Sequence, residues 1–353
     1  MVEFIRSIEK TAIDVCNNAD LFLQSAMWGE FKSHFGWEAM AFNVDWEGFG
    51  SLPLLVLVRG LTRFFSFAYI PWGPQLPESF PSEKRQLALA EIAVKIRHYF
   101  PGNTVFIRFD PPWFLEGAQT AENIDPLRKA VADIQAPDTV IVDLNDDTDK
   151  ILSRMKPKWR YNISLAVKRN VSAVQSDING VDIFYKLLKE TAARDGIAIH
   201  SVDYYRTLFE IFKAGVEASS AGSTINTGLK LYTASHEGDT LAAIIVLHYR
   251  DRATYLYGAS SNIKRNLMAP YALQWRAMLD AKASGCTSYD LFGIPPNEDS
   301  AHPMAGLFRF KTGFGGKIYH RLGCWDYPYK PVLYSLFRAA ESFRKKLRDS
   351  KKR

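Results

Sequence analysis

A chain of 353 residues that is 47% hydrophobic has ample apolar side chain for a large core, and its length favours two domains. Three scattered cysteines, Cys16, Cys286 and Cys324, exclude a disulfide framework and a cysteine-based metal site. The net charge of +6 is concentrated in the tail: residues 338–353 hold eight Lys/Arg against Glu341 and Asp349, which leaves the rest of the chain neutral.

In chain order, Ala26–Phe35 reads as a helix with Trp28, Phe31 and Phe35 on one face. Leu52–Val58 and Phe64–Ile70 read as strands, the second stopped by Pro71-Trp72-Gly73-Pro74. Ser82–Tyr99 reads as a long helix, Thr104–Asp110 as a strand stopped by Pro111-Pro112, and Thr139–Leu144 as another strand. Thr148–Lys168, Asp182–Arg194 and Val202–Ala218 read as helices. Three strands follow at Leu229–Ser235, Thr240–Tyr249 and Ala253–Gly258, then a helix at Ala269–Ser284 and a strand at Ser288–Ile294. No N-terminal signal pattern and no apolar run near the ~18 residues of a membrane span is visible, so a soluble cytoplasmic protein with buried, reduced thiols is expected.

Strand–strand–helix–strand thus occurs twice, and two strands that follow long helices, Phe106–Asp110 and Tyr289–Ile294, are each closed by Pro-Pro. This pattern predicts a duplicated α/β domain. The most informative segment lies just beyond the second of them. Gly306–Gly316 reads as a glycine-rich loop carrying three phenylalanines with Arg309 and Lys311. Glycine admits close approach of a ligand, and cations with aromatic rings suit phosphates and a planar base. An anionic substrate with a planar ring, a nucleotide or the 3′ end of an RNA, is expected there. A second basic run, with no acid between 151 and 170, holds Arg154, Lys156, Lys158, Arg160, Lys168 and Arg169.

Seven segments in order carry a resemblance. They are Gln24–Lys32, Tyr69–Pro74, Met155–Ile163, Thr191–Gly196, Tyr255–Ser260, Pro270–Trp275 and Gly306–Gly316. With these, nearly the whole chain resembles the FemABX (Fem/MurM) family of peptidoglycan-branching aminoacyltransferases. The resemblance implies an α/β (α+β) fold of two tandem GNAT-like domains. The first is residues 1–145 plus about 318–353, binding the acceptor muropeptide, and the second is 146–317, binding the aminoacyl-tRNA end. No long helical insert is visible, so a coiled coil is not expected and the chain looks FemX-like.

The family moves an amino acid from aminoacyl-tRNA to an amine on the stem peptide of a UDP-linked or lipid-linked precursor. By resemblance, Lys32 stands at a phosphate-binding lysine, and His200 and Tyr204 stand at an arginine–tyrosine pair. Histidine in place of arginine weakens pyrophosphate pairing or signals a different acceptor. Tyr257 matches a substrate-contacting tyrosine. Phe310 and Lys311 fall where the family meets the tRNA acceptor end, the ring to stack on the terminal adenine and the ammonium to pair with a phosphate. Asp110, at the end of a central strand and facing the cleft, is placed to take a proton from the attacking amine, to orient it, or simply to cap its turn. Lys156, Lys158, Arg160 and Arg309 are the expected tRNA-backbone contacts. No cofactor and no metal is expected.

Two other readings stay open. One is an acyl-CoA-dependent N-acyltransferase, although Asn262–Pro270 holds no glycine where a pyrophosphate turn belongs. The other is a non-catalytic RNA- or membrane-binding relative. In the tail, Leu333, Leu336, Phe337, Ala340, Phe343 and Leu347 fall near one helical face opposite the cations. That face either lies on anionic lipid at the inner side of the membrane or packs on the first domain.

Overall fold

A computed structural model describes residues 3–115, 125–219 and 227–350. Its elements in order are β1 (Ile5–Thr11), α1 (Ala26–Ser33), β2 (Glu38–Trp46), β3 (Gly50–Gly60), β4 (Ser66–Pro71), α2 (Arg85–Ile96), β5 (Thr104–Asp110) and β6 (Arg128–Lys129). Then come β7 (Asp138–Asp143), α3 (Thr148–Arg154), α4 (Pro157–Lys168), β8 (Ser172–Ser176), α5 (Gly180–Asp195) and α6 (Val202–Ser219). The order continues with β9 (Gly228–His236), β10 (Asp239–Tyr249), β11 (Arg252–Ser260), α7 (Ala269–Ala283), β12 (Ser288–Asp290), α8 (Ala305–Thr312) and β13 (Lys317–His320). The chain closes with β14 (Trp325–Pro328) and α9 (Pro331–Ser350).

The chain divides into two units, Met1–Pro137 with His320–Arg353, and Asp138–Tyr319. The first holds the sheet β1-β2-β3-β4-β5-β14-β6, the second the sheet β13-β7-β12-β11-β10-β9-β8. Each unit repeats one plan. In the first, β2, β3 and β4 pair antiparallel, α2 crosses over, and β5 returns parallel to β4. In the second, β9, β10 and β11 pair antiparallel, α7 crosses over, and β12 returns parallel to β11. An antiparallel strand from elsewhere in the chain then covers the far side, β14 on β5 and β7 on β12. The duplicated GNAT-like architecture is therefore present, and no coiled-coil insert occurs among the described residues.

Central strands are covered on both faces and read as continuous apolar runs. All seven residues of β5 are buried, as are Leu241–Tyr249 of β10. Large separate cores form, one around Phe42, Trp46, Ile92 and Phe109, the other around Tyr232, Leu273, Tyr289 and Phe314. Cys16, Cys286 and Cys324 are buried and form no disulfide.

Four expectations need correction. The boundary lies after Pro137, not after residue 145, because the 138–143 strand pairs with β12 and so belongs to the second sheet. Thr148–Lys168 is two helices rather than one. The residue before a proline avoids helical backbone, so Met155 and Lys156 are extended ahead of Pro157, which starts α4 at a position where its missing N–H costs nothing. The Ser288 strand ends at Asp290, where Phe292 turns into left-handed backbone at φ 58°. The tail apolar residues do not share one face. Leu333 and Phe337 pack with Tyr334 on Val105 and Phe106, whereas Leu336 and Phe343 are exposed. Lys351, Lys352 and Arg353 lie outside the described residues.

Candidate active site residues in each unit

In the second unit, Gly306–Gly316 is not a loop. Residues 305–312 form α8, because Phe308 and Lys311, three apart, bury one face while Gly306 and Arg309 turn outward. The glycines that matter come after the helix. A Cβ on Gly313 would meet the Trp159 ring at 2.1 Å, and Gly315 adopts φ +79° against the Arg154 backbone. Trp159 lies in that space and donates from Nε1 to the Phe310 carbonyl at 2.8 Å. Lys156 N donates to the Gly313 carbonyl at 2.9 Å. The start of α4 and the end of α8 are thus fastened together, so Lys156, Lys158 and Arg309, all exposed, stand on joined elements. Arg160 is half-buried and spends part of its guanidinium on the Ser153 carbonyl at 2.9 Å.

Lys311 is 6% exposed. Its Nζ donates to the carbonyls of Gly293 (2.9 Å) and Phe292 (3.3 Å) and lies 5.2 Å from the Tyr255 ring centre. The left-handed turn at Phe292 presents those carbonyls. Asp290, fully buried, fixes the turn by accepting from Phe292 N at 2.8 Å and from the Thr139 hydroxyl. Burial lowers the Lys311 pKa to about 7, and the charge of Asp290 opposes the fall. Phe310 is half-buried, edge-on to Tyr271 (5.2 Å) and Phe314 (5.1 Å).

His200, Tyr204 and Tyr257 also come together in this unit. The His200 ring stacks on Tyr204 with centroids 3.8 Å apart. The phenols of Tyr204 and Tyr257 are hydrogen-bonded, and Tyr205 meets Tyr257 edge-on at 5.2 Å. Burial raises the Tyr257 phenol well above its ordinary range, so it is a neutral hydrogen-bonding group.

Lys32 and Asp110 belong to the first unit. α1 starts at Ser25, whose hydroxyl accepts from Trp28 N at 3.1 Å, and carries Lys32 in its last turn. Lys32 Nζ lies 5.6–5.8 Å from the ring centres of Trp28, Phe31 and Trp37. Arg59 covers Trp37 at 5.3 Å. Burial, then the charge of Arg59, lowers the Lys32 pKa to about 8. Two cations thus share one indole face, which concentrates positive charge at this end of α1.

Asp110 does not face a cleft: it is 1% exposed. Being last in β5, opposite Pro71, it is covered by its neighbours. Its Oδ2 accepts from the Tyr69 phenol at 2.9 Å and from Gln135 N at 3.3 Å, and its carbonyl accepts from Gly73 N at 3.2 Å. Burial raises its pKa to about 6, and the Tyr69 bond holds it from going higher. Asp110 and Asp290 occupy matching places, each the last residue of the strand after the crossover helix. Sequence reading gave no role to Asp290, Tyr69, Trp159 or Arg59. The repeated strand ending before Pro-Pro was the available signal for Asp290.

Comparison with known proteins places these observations. The FemAB family matches residues 125–226 and 217–342. Lipid II:glycine glycyltransferase of Staphylococcus aureus (strain COL) is 24% identical over 387 aligned positions, covering 90% of each chain. The protein of that name from Staphylococcus epidermidis (strain ATCC 12228 / FDA PCI 1200) is also 24% identical with 90% of each chain covered. Among solved structures, one of FemX superposes with a TM-score of 0.75 at 19% identity, over 94% of this chain and 100% of the other. The C-terminal domain of a putative lysylphosphatidylglycerol synthetase from Agrobacterium fabrum gives 0.51 at 13% identity, over 93% and 94%. With the matched segments spanning more than half of its length, the chain belongs to the FemAB family.

Proposed function

We propose that this protein is an aminoacyltransferase. It moves an amino acid from aminoacyl-tRNA to the side-chain amine of the stem-peptide diamino acid of a peptidoglycan precursor and so builds the interpeptide branch. Family membership and the names of the lipid II:glycine glycyltransferases support the reaction class and favour a lipid-linked acceptor over a UDP-linked one.

The observation that carries the donor side is the Lys311 ammonium. It is buried, held on two carbonyls, and adjacent in sequence to Phe310 on a helix joined to the exposed Lys156 and Lys158. A cation in a dry setting favours negative charge far more than one in water. In this reading the second unit takes the tRNA end, with Lys156, Lys158 and Arg309 on the phosphates and Phe310 beside the terminal base. The first unit takes acceptor phosphate at Lys32. In the second unit, Tyr204 and Tyr257 offer substrate neutral hydrogen-bonding groups beside the His200 ring. Asp110, covered by its neighbours, is left with the capping role: it holds the end of β5 through Tyr69 and Gln135.

The chemistry needs no covalent enzyme intermediate. The amine attacks the ester carbonyl, the C–N bond forms, and the bond to the tRNA 3′ oxygen breaks. The amine loses a proton and the leaving hydroxyl gains one. Positioning and charge stabilisation are what a protein must supply. The test is transfer of labelled amino acid from charged tRNA to muropeptide, with Lys311→Met as the control. Acetyl transfer from acetyl-CoA without tRNA dependence would replace this reading.

A further inference from the structure

We infer that α9 and the β3–β4 loop form a docking surface for an anionic lipid bilayer. Val332, Leu336, Ala339 and Phe343 are spaced by four, three and four residues and therefore make one stripe along α9. The stripe is open to solvent: Val332 is 76% exposed, Leu336 64% and Phe343 64%. The opposite side of the helix is already used. Tyr334 and Phe337 lie on Phe106 at 5.3 and 4.8 Å, and Glu341 pairs with Arg108 at 3.0 Å. A helix in a globular domain ordinarily keeps apolar residues for its buried side, so a second apolar stripe facing out needs a covering surface.

Charge names the covering surface. Arg344 and Lys346, both exposed, fall on either side of the stripe around Phe343. The β3–β4 loop adds the same chemistry. Phe64 is 59% exposed, with the Arg63 guanidinium 4.5 Å from its ring centre. This loop adjoins the helix, since Leu61 and Phe65 pack in the same small core as Leu333 and Phe337. Exposed aromatic and aliphatic groups ringed by cations suit the boundary between acyl chains and anionic headgroups. No helix among the described residues is long and apolar enough to cross a membrane, so α9 would lie on the bilayer. Arg59, which shares Trp37 with Lys32, is on the strand that leads into this loop. Docking would therefore bring the Lys32 cation pair near headgroup phosphates.

The inference goes beyond the transfer reading, and its test uses neither substrate. The full-length protein is co-sedimented with vesicles of phosphatidylcholine alone and with vesicles containing phosphatidylglycerol. Binding to the anionic vesicles is expected to be at least about tenfold tighter and to weaken in high salt. The variant Phe64→Ser/Leu336→Ser/Phe343→Ser, all at exposed positions, should keep its circular dichroism and lose at least about tenfold in vesicle binding. Arg63→Gln/Arg344→Gln/Lys346→Gln should lose about fivefold per cation. Wild-type protein that stays in the supernatant would overturn the inference, as would an apolar triple variant that binds as wild type does. Light scattering that shows a homodimer abolished by the apolar triple variant, without vesicle binding, would assign the stripe to a second copy of the chain instead.

Discussion

The Tyr69 phenol donates a 2.9 Å hydrogen bond to Asp110 Oδ2 between parallel neighbours β4 and β5. This bond favours the ionised carboxylate in a place where burial disfavours it, and the result is a pKa near 6.

That balance has a stability consequence. The folded state holds the Asp110 proton more tightly than the unfolded chain, where the pKa is about 3.9. The contribution is fully present below pH ~4 and is lost as pH rises through about 6. Asp110→Asn removes this loss. Its stability relative to wild type should improve by up to about 3 kcal/mol between pH 4 and pH 7 in urea titrations. Tyr69→Phe should push the Asp110 pKa higher and extend the window. Equal pH slopes for wild type and Asp110→Asn would show that the carboxylate is ordinary.

Lys311 runs the other way. Its folded pKa of about 7 lies below the ~10.4 of an unfolded lysine, so the folded state binds fewer protons in between. Stability should therefore rise as pH rises from about 7 towards 10, by up to about 4 kcal/mol, and Lys311→Met should abolish that slope. The same variant should lose at least about 100-fold in transfer if the ammonium steadies developing negative charge. A variant with full activity would remove Lys311 from the chemistry.

The joint between α4 and α8 can be tested at Gly313. A methyl there meets the Trp159 ring at 2.1 Å, and that ring cannot retreat without giving up its bond to Phe310. Gly313→Ala should cost about 2–4 kcal/mol, from overpacking and one lost hydrogen bond. Thermal unfolding followed by tryptophan fluorescence reads this directly. The KM for aminoacyl-tRNA should rise, with the acceptor KM little changed.

The return of the chain to the first unit rests on Arg108. Its guanidinium grips Asp326 of β14 at 2.7 and 2.9 Å, both side chains being buried, and also reaches Glu341 of α9. Arg108→Met would strand the Asp326 charge and should cost about 3–5 kcal/mol. The double variant Arg108→Met/Asp326→Leu should recover part of that cost in the same urea titration. No recovery would mean that the loss lies in the Glu341 contact.

Much of the fold was legible in the sequence because its central strands are continuous apolar runs bounded by prolines. Thr104–Asp110 was read with the boundaries it has. Glu38–Trp46 was missed: its mixture of acids, Asn43 and aromatics gives no clean alternation, and pairing with β3 overrides local preference. The 306–316 segment misled because its glycines suggest a loop, whereas Phe308 and Lys311 form the buried face of a helix, the Lys311 end of which rests on the Phe292–Gly293 carbonyls and on Tyr255. Lys311 and Phe310 were identifiable as residues but not as buried ones. Exposure depends on the turn at Phe292 and on β12, and both are set by tertiary contacts. The same holds for Asp110, whose burial depends on partners 41 and 25 residues away.

The most direct measurement mixes the purified protein with a pool of labelled aminoacyl-tRNAs and with lipid-linked or UDP-linked muropeptide, then follows label onto the muropeptide. The account predicts RNase-sensitive transfer, stronger with the lipid-linked acceptor, and largely lost in Lys311→Met. Folded protein with charged tRNAs that labels neither acceptor would contradict it.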